Sequence, residues 1–154
     1  MNLKASELMT KGPKTCEPDH DLACALRIMK EENCGIVPVT KGNGAARVVG
    51  VVTDRDIALH LGSLDAKPSQ VKIADVMTTE LVMCSPDADA HEVSRKMQRA
   101  QVRRVLVMEG GRLEGVISTA DLARASARSD KELGEEVEQV MEKVSEKTGP
   151  QPRA

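Results

Sequence analysis

Apolar positions change period several times along the chain. Leu22, Ala25, Leu26 and Met29 recur at helical spacing, as do Val93, Met97 and Ala100. Each set follows an extended lead-in with a Pro-Asp pair, Pro18-Asp19 or Pro86-Asp87, whose aspartate can cap the helix. After each helix come two runs rich in β-branched residues around a Gly-containing turn: Ile36–Thr40 with Arg47–Thr53, then Arg103–Met108 with Leu113–Ser118. A further helix opens at Thr53 and at Ser118. The pattern predicts a β-α-β-β-α unit, twice. Leu133, Val137, Val140, Met141 and Val144 form a last apolar stripe, predicting an amphipathic helix over 128–148 that covers the domain's own surface or meets a partner. Residues 149–154 read as a disordered tail.

The two units share sequence as well as pattern. Leu8-Met9-Thr10, Cys16-Glu17-Pro18-Asp19, Ile28-Met29 and Ile36-Val37-Pro38-Val39 recur 68 positions later as Val76-Met77-Thr78, Cys84-Ser85-Pro86-Asp87, Lys96-Met97 and Arg104-Val105-Leu106-Val107. A three-residue contraction of the next turn shifts the offset to 65, after which Gly50–Ala58 matches Gly115–Ala123. This is a tandem duplication, with a first repeat over 1–66 and a second over 67–127. Neither half buries a generous core alone, so the repeats are expected to pack together through their sheets with pseudo-twofold symmetry, in an α+β fold.

Composition narrows the function. The 154 residues carry 22 basic and 24 acidic side chains, for a net charge of −2, and contain no Phe, Tyr or Trp. A near-neutral chain without aromatics offers neither a basic field nor a stacking platform for nucleic acid. Its apolar runs are far short of the roughly 20 residues that span a bilayer, and no stretch of signal-peptide character opens it. A cytoplasmic protein without membrane or nucleic-acid partners is expected. Cys16, Cys24, Cys34 and Cys84 form no CxxC pair, and His20, His60 and His91 show no metal or nucleophile constellation, so the cysteines read as small buried residues. The eight Met fill core gaps that aromatics would otherwise occupy.

The richest motif is Gly-aliphatic-aliphatic-Thr/Ser-x-x-Asp, at Gly50–Asp56 and again at Gly115–Asp121. It sends a strand straight into a helix N-terminus. Thr53 or Ser118 can cap that helix, whose free N–H groups favour phosphate, while Asp56 or Asp121 can accept the hydrogen bonds of a ribose diol. The plainer reading is a capping box, Ser/Thr followed three residues later by an acidic side chain.

The whole pattern goes further. Asp75-Val76-Met77-Thr78, Ser85-Pro86-Asp87-Ala88, the runs NCGIVPV and QVRRVLV, and GVVTDRD resemble the cystathionine-β-synthase (CBS) domain, and two in tandem resemble a Bateman module of the small stand-alone bacterial type. The resemblance implies a non-catalytic sensor without obligatory cofactor, whose regulatory ligand is AMP, ADP or ATP held in clefts built from both repeats. Carried over, one cleft has Thr53 and Asp56 for ribose and phosphate, Leu81 and Val82 for adenine, and Arg103 with Arg104 for phosphate, their planar forks suiting a polyanion. The other has Ser118 and Asp121 for ribose, Pro13 with Lys14 beside adenine, Gly35 and Ile36 at the positions of the two arginines, and Arg55 as its cation. Occupancy is therefore expected to be asymmetric, favouring the arginine-bearing cleft. Leu106 stands where the first repeat and the family have Pro, leaving an extra backbone N–H at the wall. The implied partners are the nucleotide, a second copy of the chain in a homodimer, and an unidentified protein effector. Rival readings are an interaction module with vacant clefts, an S-adenosylmethionine binder, and a redox enzyme using a low-pKa Cys16 or Cys84.

Overall fold

The computed structural model describes residues 3–42, 47–129 and 131–148. Its helices are α1 Ala5–Leu8, α2 Leu22–Glu32, α3 Asp54–Gly62, α4 Ala90–Ala100, α5 Thr119–Ser129 and α6 Lys131–Thr148. Its strands are β1 Thr10–Lys11, β2 Ile36–Lys41, β3 Arg47–Thr53, β4 Met83–Cys84, β5 Arg104–Glu109 and β6 Arg112–Ser118, so the fold is α+β as the periodicities predict. Two compact units divide the chain: Gly12–Leu81 with Gly111–Leu113, and a second made of the chain up to Lys11, Val82–Gly110 and Glu114 onward.

In the first unit β2 and β3 pair antiparallel from Ile36↔Thr53 outward. Cys16 lies parallel to Val39 beside them, and Thr78 bridges Val51. Leu22, Ala25, Met29, Val37, Val39, Val52, Ile57 and Ile73 make up most of the core. The second unit holds a four-stranded sheet in the order β1-β6-β5-β4, with β4 parallel to β5. Its core runs from Ala5 and Cys84 through Val93, Met97, Val105, Ile117 and Leu122 to α6.

Each unit takes its Met-Thr segment from the other end of the repeat pattern. Met9-Thr10 lies against β6, with Thr10 opposite Val116, whereas Thr78 exchanges backbone hydrogen bonds of 2.9 Å with Val51. The approach is close enough to require glycine on the strand. A Cβ on Gly50 would stand 2.8 Å from the Thr78 carbonyl oxygen, and one on Gly115 would stand 2.7 Å from that of Thr10. The repeated Gly and the repeated Met-Thr are thus two halves of one contact.

Three expectations change in detail. The N-caps of α2 and α4 are Asp21 and Asp89, which accept from Cys24 N–H and Glu92 N–H, not the Asp of each Pro-Asp pair. Asp19 and Asp87 sit inside the preceding turns, closed by His20 N–H to Glu17 O and Ala88 N–H to Ser85 O, two residues too early to reach the helix. In α6, Leu133, Val137, Val140 and Val144 are buried, but Met141 is 43% exposed because it follows Val140 directly and turns off that face. The helix covers its own unit: Gln98 Nε2 donates to Glu136 O (3.1 Å) and Gln101 Nε2 to Lys143 O (3.2 Å). Third, the Leu106 N–H is not free, since it donates to Val82 O at 2.9 Å in the β4–β5 pairing. The expected disordered tail, 149–154, lies outside the described residues. Among the described residues no helix is long and apolar enough to cross a membrane.

Candidate ligand site

In both units the strand after the Gly-containing turn runs without a break into a helix. β3 ends at Thr53, whose extended backbone (φ −112°, ψ 156°) makes it the N-cap of α3, and its Oγ1 accepts from Asp56 N–H at 3.1 Å. The first three N–H groups of α3 are already taken, by Gly35 O, by Asp54 Oδ1 (2.8 Å, from Arg55 N–H) and by Thr53 Oγ1, so the expectation of free N–H groups for phosphate is corrected here and only the positive end of the helix dipole remains. Asp56 is half-buried, and among the described residues its carboxylate has no hydrogen-bond or ion-pair partner. Gly35 and Ile36 belong to the same corner, because Asp54 N–H donates to Gly35 O at 3.1 Å and Ile36 is in register with Thr53. Arg55 is exposed on the first turn of α3.

The corresponding corner of the second unit is closed. Asp121 Oδ2 accepts from both Ser118 N–H and Ser118 Oγ at 2.8 Å, while Ser118 Oγ accepts from Asp121 N–H at 3.3 Å. That is a capping box, and the other carboxylate oxygen is ion-paired to Arg124. Arg103 stands beside it through its carbonyl, which accepts from Thr119 N–H at 2.9 Å. The Arg103 and Arg104 guanidinium groups have no partner among the described residues.

The residues named from the sequence therefore gather within each unit as Gly35, Ile36, Thr53, Arg55 and Asp56 on one side, and Arg103, Arg104, Ser118 and Asp121 on the other. Leu81 ends the main segment of the first unit and Val82 opens the next segment of the second, where it packs on the core and lends its carbonyl to Leu106. Pro13 and Lys14 lie on the lead-in of the first unit, with Lys14 Nζ held by Glu32 at 2.7 Å and Glu31 at 3.8 Å.

One cluster was missed in the sequence. Cys16, His20 and Cys24 bring two sulfurs and an imidazole nitrogen within 4.8 Å of one another, so the expectation of no metal constellation around the histidines is corrected at this point. No CxxC pair marks it in the sequence; a turn and the first turn of α2 fold C-x3-H-x3-C onto itself. Burial first, and the neighbouring Cys24 second, push the Cys16 thiol up to about 12. Burial likewise raises Cys84 to about 11. Both shifts run opposite to what a nucleophilic or redox-active thiol needs.

Comparison with known proteins agrees with the duplication. The family model of the CBS domain matches residues 5–63 and 73–128. The CBS domain-containing protein YhcV of Bacillus subtilis is 32% identical over 117 residues, covering 76% of this chain and 81% of the relative. Among solved structures, Hypoxic Response Protein I, crystallised with two coordinated zinc ions, superposes with a TM-score of 0.67 at 26% identity, covering 79% of this chain and 98% of that one. The CBS domain pair of MJ0100, in complex with 5′-methylthioadenosine and S-adenosyl-L-methionine, gives a TM-score of 0.73 at 22% identity over 83% of this chain and 98% of that one.

Proposed function

Because this chain belongs to the CBS-domain family and consists of two such domains, we propose that it is a non-catalytic regulatory module that binds an adenine nucleotide, with the Thr53–Asp56 corner as its ribose site. The observation that carries the reading is the unpaired, half-buried Asp56 carboxylate at the start of α3, beside a threonine already fixed as the cap. A carboxylate there accepts two hydroxyls of a ribose while the Arg55 guanidinium, helped by the helix dipole, meets phosphate. Arg103 and Arg104 are unpaired cations of the other unit, beside the Ser118–Asp121 corner. Asp121 is tied up in its capping box and in its pair with Arg124, so the second corner is the weaker site. This ordering matches the asymmetry expected from the sequence, for a different reason. The nucleotide acts by stabilising one arrangement of the protein over another, and the change passes to a partner through association of the chain as a homodimer.

Calorimetric titration of the full chain with AMP, ATP and S-adenosylmethionine tests it. AMP or ATP should bind one strong site per chain, and Asp56→Asn should weaken it by about tenfold or more, the loss of hydrogen bonds to a charged acceptor. Asp121→Asn should change it far less. Binding of S-adenosylmethionine alone moves the reading to a less anionic adenosine ligand, and no heat with any of the three leaves the interaction-module reading standing. Light scattering gives the oligomeric state.

A further inference from the structure

Cys16, His20 and Cys24 belong to no part of the nucleotide reading. Cys16 is buried on the lead-in, where its N–H donates to Pro38 O (3.1 Å) and its carbonyl accepts from Thr40 N–H (2.8 Å), so its backbone is fixed to β2. Cys24 is the third residue of α2, fixed by the Asp21 cap. His20 ends the turn between them. We propose that these three side chains form a zinc site.

The geometry is close to what the ion requires. Tetrahedral zinc with Zn–S near 2.3 Å and Zn–N near 2.05 Å sets its ligands about 3.8 Å apart for two sulfurs and about 3.5 Å apart for sulfur and nitrogen. Cys16 Sγ and Cys24 Sγ are 3.4 Å apart, and Cys24 Sγ is 3.7 Å from His20 Nδ1. Glu17 N–H donates to Nδ1 at 3.2 Å, so this nitrogen is the ring's acceptor and its lone pair is held by that N–H until an ion takes its place. The Nε2 side lies 4.0 Å from Glu17 Oε2, the kind of carboxylate that orients a metal-bound imidazole from behind. Binding replaces the Glu17 N–H with the ion at Nδ1 and releases the two thiol protons. Two thiolates and an imidazole select zinc over the hard cations that prefer oxygen. His20 and Cys24 also line a cleft of about 690 Å³ with Asp21, Arg27 and Lys72, from which water can supply a fourth ligand. The duplicate lacks the site: Cys84 persists, but Ala88 and Glu92 stand at the positions of His20 and Cys24.

The test uses the full chain stripped with chelator and titrated with Co²⁺, then Zn²⁺. Without aromatic residues the chain leaves the near-ultraviolet clear for thiolate-to-cobalt charge transfer. The expected result is one Co²⁺ per chain with that absorption, displaced by one equivalent of Zn²⁺. Cys24→Ser and His20→Gln, both at side chains with solvent access, should each weaken binding at least about tenfold, while Cys34→Ser leaves it unchanged. Thiol labelling of the native wild-type chain gives a second readout that needs no variant: Zn²⁺ should withdraw Cys24 from reaction and leave Cys34 as it was. Absence of the charge-transfer band, a band that survives both Cys24→Ser and His20→Gln, or labelling of Cys24 unaffected by Zn²⁺ would overturn the site.

Discussion

The two repeats have the same scaffold and opposite uses of their polar groups. Both begin their first helix with an aspartate two residues after the Pro-Asp pair, and both close it with a left-handed residue, Asn33 (φ 49°) in one and Gln101 (φ 53°) in the other. Both place a glycine under a Met-Thr segment. Where they differ is chemistry. The second unit closes its strand-to-helix corner internally and adds α6 to its core; the first leaves Asp56 unpaired and collects two thiols and an imidazole where its lead-in meets α2. Duplication has kept the parts that make the fold and separated the parts available to a ligand. One unit is built for stability, and the other is left open.

The largest expected effect tests the stability side. Leu133 is 1% exposed at the start of α6, so Leu133→Ala should cost about 2–5 kcal/mol in denaturant unfolding. Leu59 on α3 is 61% exposed, and Leu59→Ala should cost almost nothing. A comparable loss at Leu59 would show that this face of the open unit is covered in solution, and the comparison would have to be redrawn around an interface.

Gly50→Ala and Gly115→Ala ask whether the shared contact is equally tight in both units. Each new methyl group meets a backbone carbonyl oxygen that cannot swing aside, so both substitutions should destabilise by about 1–3 kcal/mol. A marked difference between them would locate the weaker contact.

A pH series separates the buried thiols from the rest. Cys84 titrates near 9.0 in the unfolded chain and at about 11 in the fold, mainly through burial, with Lys96 drawing it down and Glu92 pushing it up. Below 9 both states hold the proton. Between 9 and 11 only the unfolded state releases it, so stability falls as pH rises through that window. The Cys84 share of the loss should be on the order of 1–2 kcal/mol, and Cys84→Ala should remove that share while the fall due to Cys16, raised to about 12, remains.

Much of this was legible in the sequence because it rests on periodicity and duplication. The β2–β3 and β5–β6 hairpins, α2, α4 and the C-terminal helix follow from apolar spacing that the core then enforces. The capping aspartates stand two residues beyond the Pro-Asp pairs that the sequence points to, because a Pro-Asp turn and an Asp N-cap look alike until the turn is closed. The exchanged Met-Thr segments were invisible because strand pairing between distant segments leaves no local signal. Only in hindsight does the repeated Gly give it away. The state of each corner was out of reach for a similar reason: Thr-x-x-Asp and Ser-x-x-Asp have the same spacing, and only side-chain geometry shows that one aspartate is bound and the other is not.

That last difference predicts the smallest effect and the most direct comparison. Asp121 accepts from Ser118 N–H and Oγ and pairs with Arg124, its side chain only 14% exposed. Asp121→Asn keeps the shape but gives up the charge and part of the box, so it should lower stability by about 1 kcal/mol, the usual scale for a helix cap. Asp56→Asn removes a carboxylate with no partner among the described residues and should leave the melting temperature of the ligand-free protein unchanged. Adding AMP should reverse the order, because a ligand present at 100 times its Kd adds about 2.7 kcal/mol to whichever variant still binds it. Asp121→Asn should then gain nearly the full increment and Asp56→Asn little. Equal gains would mean that Asp56 is open for some other reason.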